Sequence, residues 1–232
     1  MLVHGMNEKI TWVDKMDTTL PIFHENEDSV IYQLNSERLL KVYKNHVSND
    51  KKEQITKVVQ YFLNHPSKKD IVPIKAWLSN NGLVGYEMLF EHQYQPLSQQ
   101  LETFDQETLE NLLYQIEQEC QGHNQEYIYT DIDVDNILYW NGHIKWIDFD
   151  DCLITSTLSE EDKKKGLEHQ QSIFHLFALS LLYHVSLEDI YYVERTDQLI
   201  LEQKEQIREI LAGHHSSLDT LLEHFHFLNR QK

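Results

Sequence analysis

Glycine is scarce in this chain, seven residues in 232, and proline scarcer still at four. Such a composition leaves no Pro/Gly-rich linker, and no internal repeat or low-complexity tract is visible, so any division of the chain must come from a change in hydrophobic periodicity. Cysteine is limited to Cys120 and Cys152, too few and too far apart for a disulfide framework or a CxxC metal site, and a reducing compartment is the simpler expectation. Cys152 adjoins acidic residues that oppose a stabilised thiolate, so it is expected to be a small buried side chain. Basic residues number 20 against 38 acidic ones, a formal charge of −18. That imbalance repels nucleic-acid phosphates and anionic lipid surfaces, so neither is an expected partner, whereas a basic protein partner is compatible with it. No stretch approaches the eighteen apolar residues of a membrane span, and the opening MLVHGMNEKITWVDK has no long apolar centre. The expectation is a cytoplasmic protein.

What the chain does have is 41% hydrophobic and 11% aromatic residues, enough to pack one domain or two small lobes at this length. Up to residue 90 short β-rich runs dominate: Ser29–Leu34, Leu39–Tyr43, Ile74–Leu78 and Leu83–Phe90, with Asn81-Gly82 as a hairpin turn. One helix interrupts them, about Asn49 to Leu63, presenting Ile55, Val58, Val59 and Phe62 on one face. Beyond residue 90 the period becomes helical. Helices are expected over Glu102–Gln121, Gln171–Val185 (apolar on nearly all sides, hence central), Thr196–Leu211 and Ser216–Leu228. The expected organisation is α+β, with a β-rich lobe over 1–90 carrying one helix and a mainly helical lobe over 91–232.

The richest segment is YTDIDVDNILYWNGHIKWIDFDD, from Tyr129 to Asp151. Its β-rich runs flank Asn141-Gly142, the preferred two-residue hairpin turn, so the acidic groups at the two ends of the hairpin are expected to converge. Carboxylates crowded at one rim repel unless a cation or hydrogen bonds compensate. Two plainer readings compete. An acidic loop is usually solvated surface, and DIDVDN has the alternating carboxylates of a calcium loop. The calcium pattern fails at its sixth position, Asn136 instead of Gly, and at its twelfth, Gly142 instead of Glu. Fourteen histidines invite a metal site, but His214-His215 and His224-Phe225-His226-Phe227 are spaced one and two apart, which on a helix points the ligands in different directions. Surface or packing histidines are the expectation.

The order Asp131, Asn136 five residues on, a hairpin, then Asp148-Phe149-Asp150 resembles the phosphate-handling core of the protein-kinase-like superfamily. The resemblance covers about residues 25 to 185 and is closer to compact bacterial kinases than to large eukaryotic ones. It implies a two-lobed protein-kinase-like fold, with ATP and Mg2+ as cofactors and γ-phosphate transfer to a protein Ser/Thr or a small-molecule hydroxyl. On that resemblance Asp131 orients the acceptor hydroxyl, Asn136 and Asp148 hold the metal, and Lys41 in RLLKVYKN binds the α- and β-phosphates. Leu39 shares the Lys41 face by two-residue alternation and would touch adenine, with Ile31 and Met88 completing the nucleotide-binding set. Tyr86–Phe90 would be the connection between lobes. Lys44 falls on the opposite face and is expected to be solvated, and an ordinary strand-end lysine is the plain alternative for Lys41. Glu53, the one Glu on the first helix, inherits by elimination the task of positioning Lys41.

The departures carry equal weight. The loop from His24 to Ser29, expected over the phosphates, contains no Gly. Asp150 stands where the family has Gly, and Asp133 where it has a phosphate-contacting Lys, so negative charge is added where phosphates sit. Extra carboxylates either recruit Mg2+ or meet a cationic acceptor, or else phosphate binding is lost. Thr130 replaces the Arg that reads activation-loop phosphorylation, so no such switch is expected, and His175 stands where an Asp is common. The charged run EEDKKKG and the missing Ala-Pro-Glu suggest a reduced peptide platform. The rival reading is a pseudokinase that binds and regulates a partner.

Overall fold

The computed structural model describes residues 9–13, 19–214 and 217–230. Strands form where short apolar runs stand between turn residues. β1 (Ile10–Trp12), β2 (Ile22–Glu25), β3 (Ser29–Gln33) and β4 (Arg38–Tyr43) precede the first helix, α1 (Asn49–Asn64), and β5 (Lys75–Ser79) and β6 (Gly82–Leu89) follow it. They make a six-stranded mixed sheet in the order β1-β5-β6-β4-β3-β2, in which β1 runs parallel to β5 and the other pairs are antiparallel. Helix α1 begins at Ser48, whose side chain accepts the Lys51 amide, and buries Ile55, Val58, Val59, Phe62 and Leu63. This matches the face read from its period. Tyr86–Phe90 is not a connection: Tyr86 to Leu89 continue β6, held by the β4 ladder on one side and, at Tyr86 and Glu87, by β5 on the other.

The chain then forms β7 (Gln95–Pro96), α2 (Gln106–His123), β8 (Tyr127–Ile128), β9 (Ile137–Trp140), β10 (His143–Trp146) and β11 (Leu153–Ile154). β9 and β10 are the expected hairpin, turned at Asn141 (φ 48°) and Gly142 (φ 82°), the two positive φ angles that an Asn-Gly turn supplies. α2 starts four residues later than its period suggests, because the Asp105 side chain caps it by accepting the Thr108 amide at 2.8 Å. α3 (Glu160–Tyr183), α4 (Leu187–Tyr191), α5 (Leu201–Leu211) and α6 (Leu218–Asn229) complete the α+β architecture, with six α-helices among the described residues. The charged run EEDKKKG forms the first two turns of α3, capped by Ser159, with Glu160, Glu161 and Asp162 beside the positive end of the helix dipole. The expected start of α6 at Ser216, and His215, lie outside the described residues. None of the described helices is long and apolar enough to cross a membrane.

Two compact units divide the chain. One takes the described residues up to Gln95 together with Leu138–Asp151; the other takes Pro96–Ile137 and the described residues from Cys152 onward. The division therefore falls at Gln95 and not at 90, and the hairpin leaves 91–232 for the first unit. The physical reason is packing: Leu138 and Ile147 rest on the first unit's core of Leu39, Ile55, Val59, Tyr86 and Met88, and the Ile71 amide donates to the Trp146 carbonyl at 3.0 Å. The second unit is centred on α3, whose residues from Ile173 to Leu182 are all buried. Leu176 and Leu179 of α3 pack with Ile190, Ile207, Ile210 and Leu221. The all-round apolar pattern of that helix predicted this position. Both cysteines are buried.

Candidate functional site

In the first unit, β4 carries Leu39, Lys41 and Tyr43 on one face. The antiparallel register sets Lys41 opposite Ile31 of β3 and Tyr86 of β6, and Leu39 opposite Met88. Directly opposed residues project to the same face, so Leu39, Ile31, Met88 and Lys41 share one face of the sheet. β6 approaches β4 here because residue 85 is glycine: a Cβ on Gly85 would lie 2.0 Å from the Lys41 carbonyl oxygen.

Lys41 is a buried cation, its side chain 5% exposed, and it is held by two carboxylates. Its Nζ donates to Asp148 Oδ1 at 2.6 Å and to Asp150 Oδ2 at 2.8 Å. The other oxygen of Asp150 accepts from Tyr43 Oη at 2.7 Å and from Tyr86 Oη at 3.3 Å. Burial pulls the Lys41 pKa down, but the charges of Asp150 and Asp148 outweigh it and hold the ammonium above the ordinary lysine value. Burial also pushes the Asp150 carboxyl up, against the pull of Lys41. Both phenols are raised well above the ordinary tyrosine value, by burial first and by neighbouring anionic groups after it, so they remain donors at neutral pH. Two carboxylates thus converge on one ammonium, Asp150 13% and Asp148 29% exposed.

Asp148 adopts a left-handed backbone, φ 58°, a conformation that costs most non-glycine residues energy but that Asp and Asn tolerate best. Phe149 is buried edge-on against Phe62 of α1, ring centroids 4.8 Å apart. That anchor sets the chain direction between the two acids. Asp151 pairs with Lys51 in the first turn of α1.

Glu53 does not take the task that elimination assigned to it. It is exposed on α1 and pairs with Lys57, one turn along the same helix, at 3.3 Å. The helical phase explains this: Glu53 lies two residues, about 200°, from the buried Ile55. The Gly-free stretch 24–29 holds the end of β2, a tight turn over 26–28 and the start of β3, closed by Asn26, whose Oδ1 accepts the amides of Asp28 at 3.0 Å and Ser29 at 2.7 Å. Those N–H groups are thereby spoken for within the turn. Lys44, expected in solvent, is half-buried and binds the same turn through Glu25 at 2.8 Å and the Asn26 carbonyl at 2.6 Å.

Asp131 and Asn136 belong to the second unit, in the loop after β8. The Asn136 amide group donates to the Asp131 carboxylate at 2.8 Å and to its carbonyl at 3.1 Å, and buried Ile132 pins the loop. Asp133 closes the turn by accepting the Asp135 amide at 2.9 Å. That accounts for an acid where a lysine was expected. The carbonyl of buried Tyr129 accepts from Gln170 of α3 at 3.1 Å. Asp131 is exposed, and its charge reaches the Tyr191 phenol, whose pKa burial and then Asp131 raise. His175 is fully buried in α3, and His226 pairs with Glu110 at 3.1 Å, in keeping with packing and surface histidines.

Sequence reasoning missed Tyr43 and Tyr86 and treated Asp150 only as a departure. Tyr43 was open to the same alternation that paired Leu39 with Lys41; Tyr86 depends on cross-strand register. Among the described residues no group of three or more His, Cys, Asp or Glu gathers to hold a metal ion. Asp148 and Asp150 direct their carboxylate oxygens at the Lys41 ammonium; of the two Asp148 is the more exposed, at 29% against 13%, and its carboxylate is of the hard-oxygen kind that Mg2+ takes. No protein-family model matches the chain, and no curated protein matches it.

Proposed function

We propose that the chain is an ATP- and Mg2+-dependent phosphotransferase of protein-kinase-like, two-lobed architecture, acting on a protein Ser/Thr or a small-molecule hydroxyl. The observation that carries this is the buried Lys41 on a strand face beside Leu39, Ile31 and Met88, its ammonium set between Asp148 and Asp150. A surface lysine has no reason to be desolvated against two acids. Lys41 would bind the α- and β-phosphates, while Leu39, Ile31 and Met88 border the adenine. Asp148 would hold Mg2+, which would offset the negative charge of the phosphates. Asp131, oriented by Asn136, would accept the proton of the attacking hydroxyl; this role rests on the five-residue spacing and the hydrogen bond between the two. Rate enhancement would come from positioning and charge neutralisation, with no covalent intermediate.

The test is calorimetric titration with ATP, with and without Mg2+, together with transfer from γ-labelled ATP to pools of proteins and small alcohols. Asp148→Asn is expected to lose Mg2+-dependent binding and transfer while its unfolding midpoint stays near that of the parent. Near-parental turnover in the variant would sink the assignment. Absence of transfer to every pool, with one stoichiometric partner retained on purification, would leave the regulatory pseudokinase.

A further inference from the structure

In protein kinases the lysine that binds phosphate is oriented by a glutamate from the helix that follows it. Here the charges on that helix run the other way. Glu53 points outward to Lys57, and the residue that α1 sends to the acidic run is a cation, Lys51, paired with Asp151. Lys41 takes its counter-charge from Asp148 and Asp150. Asp150 is fixed through both of its oxygens. One oxygen accepts two phenol hydroxyls, Tyr43 at 2.7 Å and Tyr86 at 3.3 Å, and the other accepts Lys41 at 2.8 Å. Donors to both oxygens, drawn from two different strands, prevent the carboxylate from rotating. The phenols and the lysine are also one structural unit: Tyr43 stands two residues beyond Lys41 on the same strand, and Tyr86 is the cross-strand partner of Lys41.

We propose that Asp150, clamped by Tyr43 and Tyr86, is the residue that positions the Lys41 ammonium for phosphate, in place of a helix glutamate. The inference rests on the nucleotide-binding reading given above and adds to it a specific consequence: the placement of Lys41 is set by the sheet and the acidic segment and is independent of the charge at Glu53. Asp150 and the two phenols act through Lys41 and touch no phosphate themselves.

The experiment titrates the full chain with MgATP, with metal-free ATP and with adenosine, for the parent and for Asp150→Asn, Tyr43→Phe/Tyr86→Phe, Glu53→Gln and Asp150→Glu. Loss of one charge-assisted hydrogen bond corresponds to roughly tenfold in affinity. Asp150→Asn is expected to weaken ATP by that factor with or without Mg2+ and to leave adenosine unchanged, since adenosine has no phosphate for Lys41. A general loss of folding would lower all three. The double phenylalanine variant is expected to follow Asp150→Asn, Asp150→Glu to recover part of the loss, and Glu53→Gln to bind as the parent does. Unchanged or tighter ATP binding in Asp150→Asn would overturn the inference by showing that the acid merely competes with phosphate. A loss confined to MgATP would overturn it by making Asp150 a metal ligand, and so would a loss reproduced in Glu53→Gln. If Asp150→Asn does not fold, the double phenylalanine variant decides, because it removes only two hydroxyl groups. A parent chain that binds no ATP at millimolar concentration overturns the nucleotide-binding reading itself, and this inference with it.

Discussion

At Gly85 one hydrogen atom in place of a methyl group lets β4 and β6 meet. A Cβ there would come within 2.0 Å of the Lys41 carbonyl oxygen and 3.0 Å of the Val42 Cα, both backbone atoms in a paired strand that cannot swing aside. Gly85→Ala is therefore expected to cost about 3 kcal/mol or more, read as a fall in the urea midpoint, together with weakened ATP binding as the Lys41 segment shifts. A variant with the parental midpoint would show that the strands can part at low cost. At this scale the legible residues are those whose place follows from a local period. Leu39 and Lys41 share a face as alternation requires, and the same step of two reaches Tyr43. Elimination is a poorer guide than phase: Glu53 was the one glutamate on α1, yet its position opposite Ile55 was written in the apolar spacing of the helix. Tyr86 could not be found this way, because its meeting with Asp150 depends on which residue of β6 pairs with Lys41.

Among elements, the ones with a strong apolar period were legible and the ones without it were not. β3 to β6, α1 and the turn at Asn141-Gly142 stand within a residue or two of where the pattern put them. β2 is exposed at all four residues and so has no alternation to read. α3 was legible only where it is buried; its first turns are charged, and their helical state depends on the Ser159 cap and on three acids at the positive end of the dipole. Ser159→Ala is accordingly expected to destabilise the chain by about 1 kcal/mol, measured by urea unfolding, with Ser159→Asp close to the parent. A parental midpoint in Ser159→Ala would mean that the cap contributes little and that packing further along the helix holds the first turns. The hairpin was placed correctly as an element and wrongly as a member of residues 91–232. Its apolar residues could be read, but not which core they would join.

For the molecule as a whole, neither compact unit is a continuous piece of chain. The first needs residues up to Gln95 and also Leu138–Asp151, which bring Leu138 and Ile147 to its core, Phe149 to Phe62, and both counter-ions to Lys41. A fragment ending at Gln95 leaves a buried lysine without those acids, an arrangement that is strongly destabilising. It is expected to unfold without a cooperative transition in urea, whereas one ending at Asp151 should recover at least part of the cooperativity; a sharp transition in the shorter fragment would refute the dependence. The same discontinuity governs the order of events during synthesis. The strands from β1 to β6 leave the ribosome first, yet their unit stays open until Asp151 has followed, more than fifty residues later. At about 5–20 residues per second that is an interval of several seconds in which a six-stranded sheet must avoid other partners.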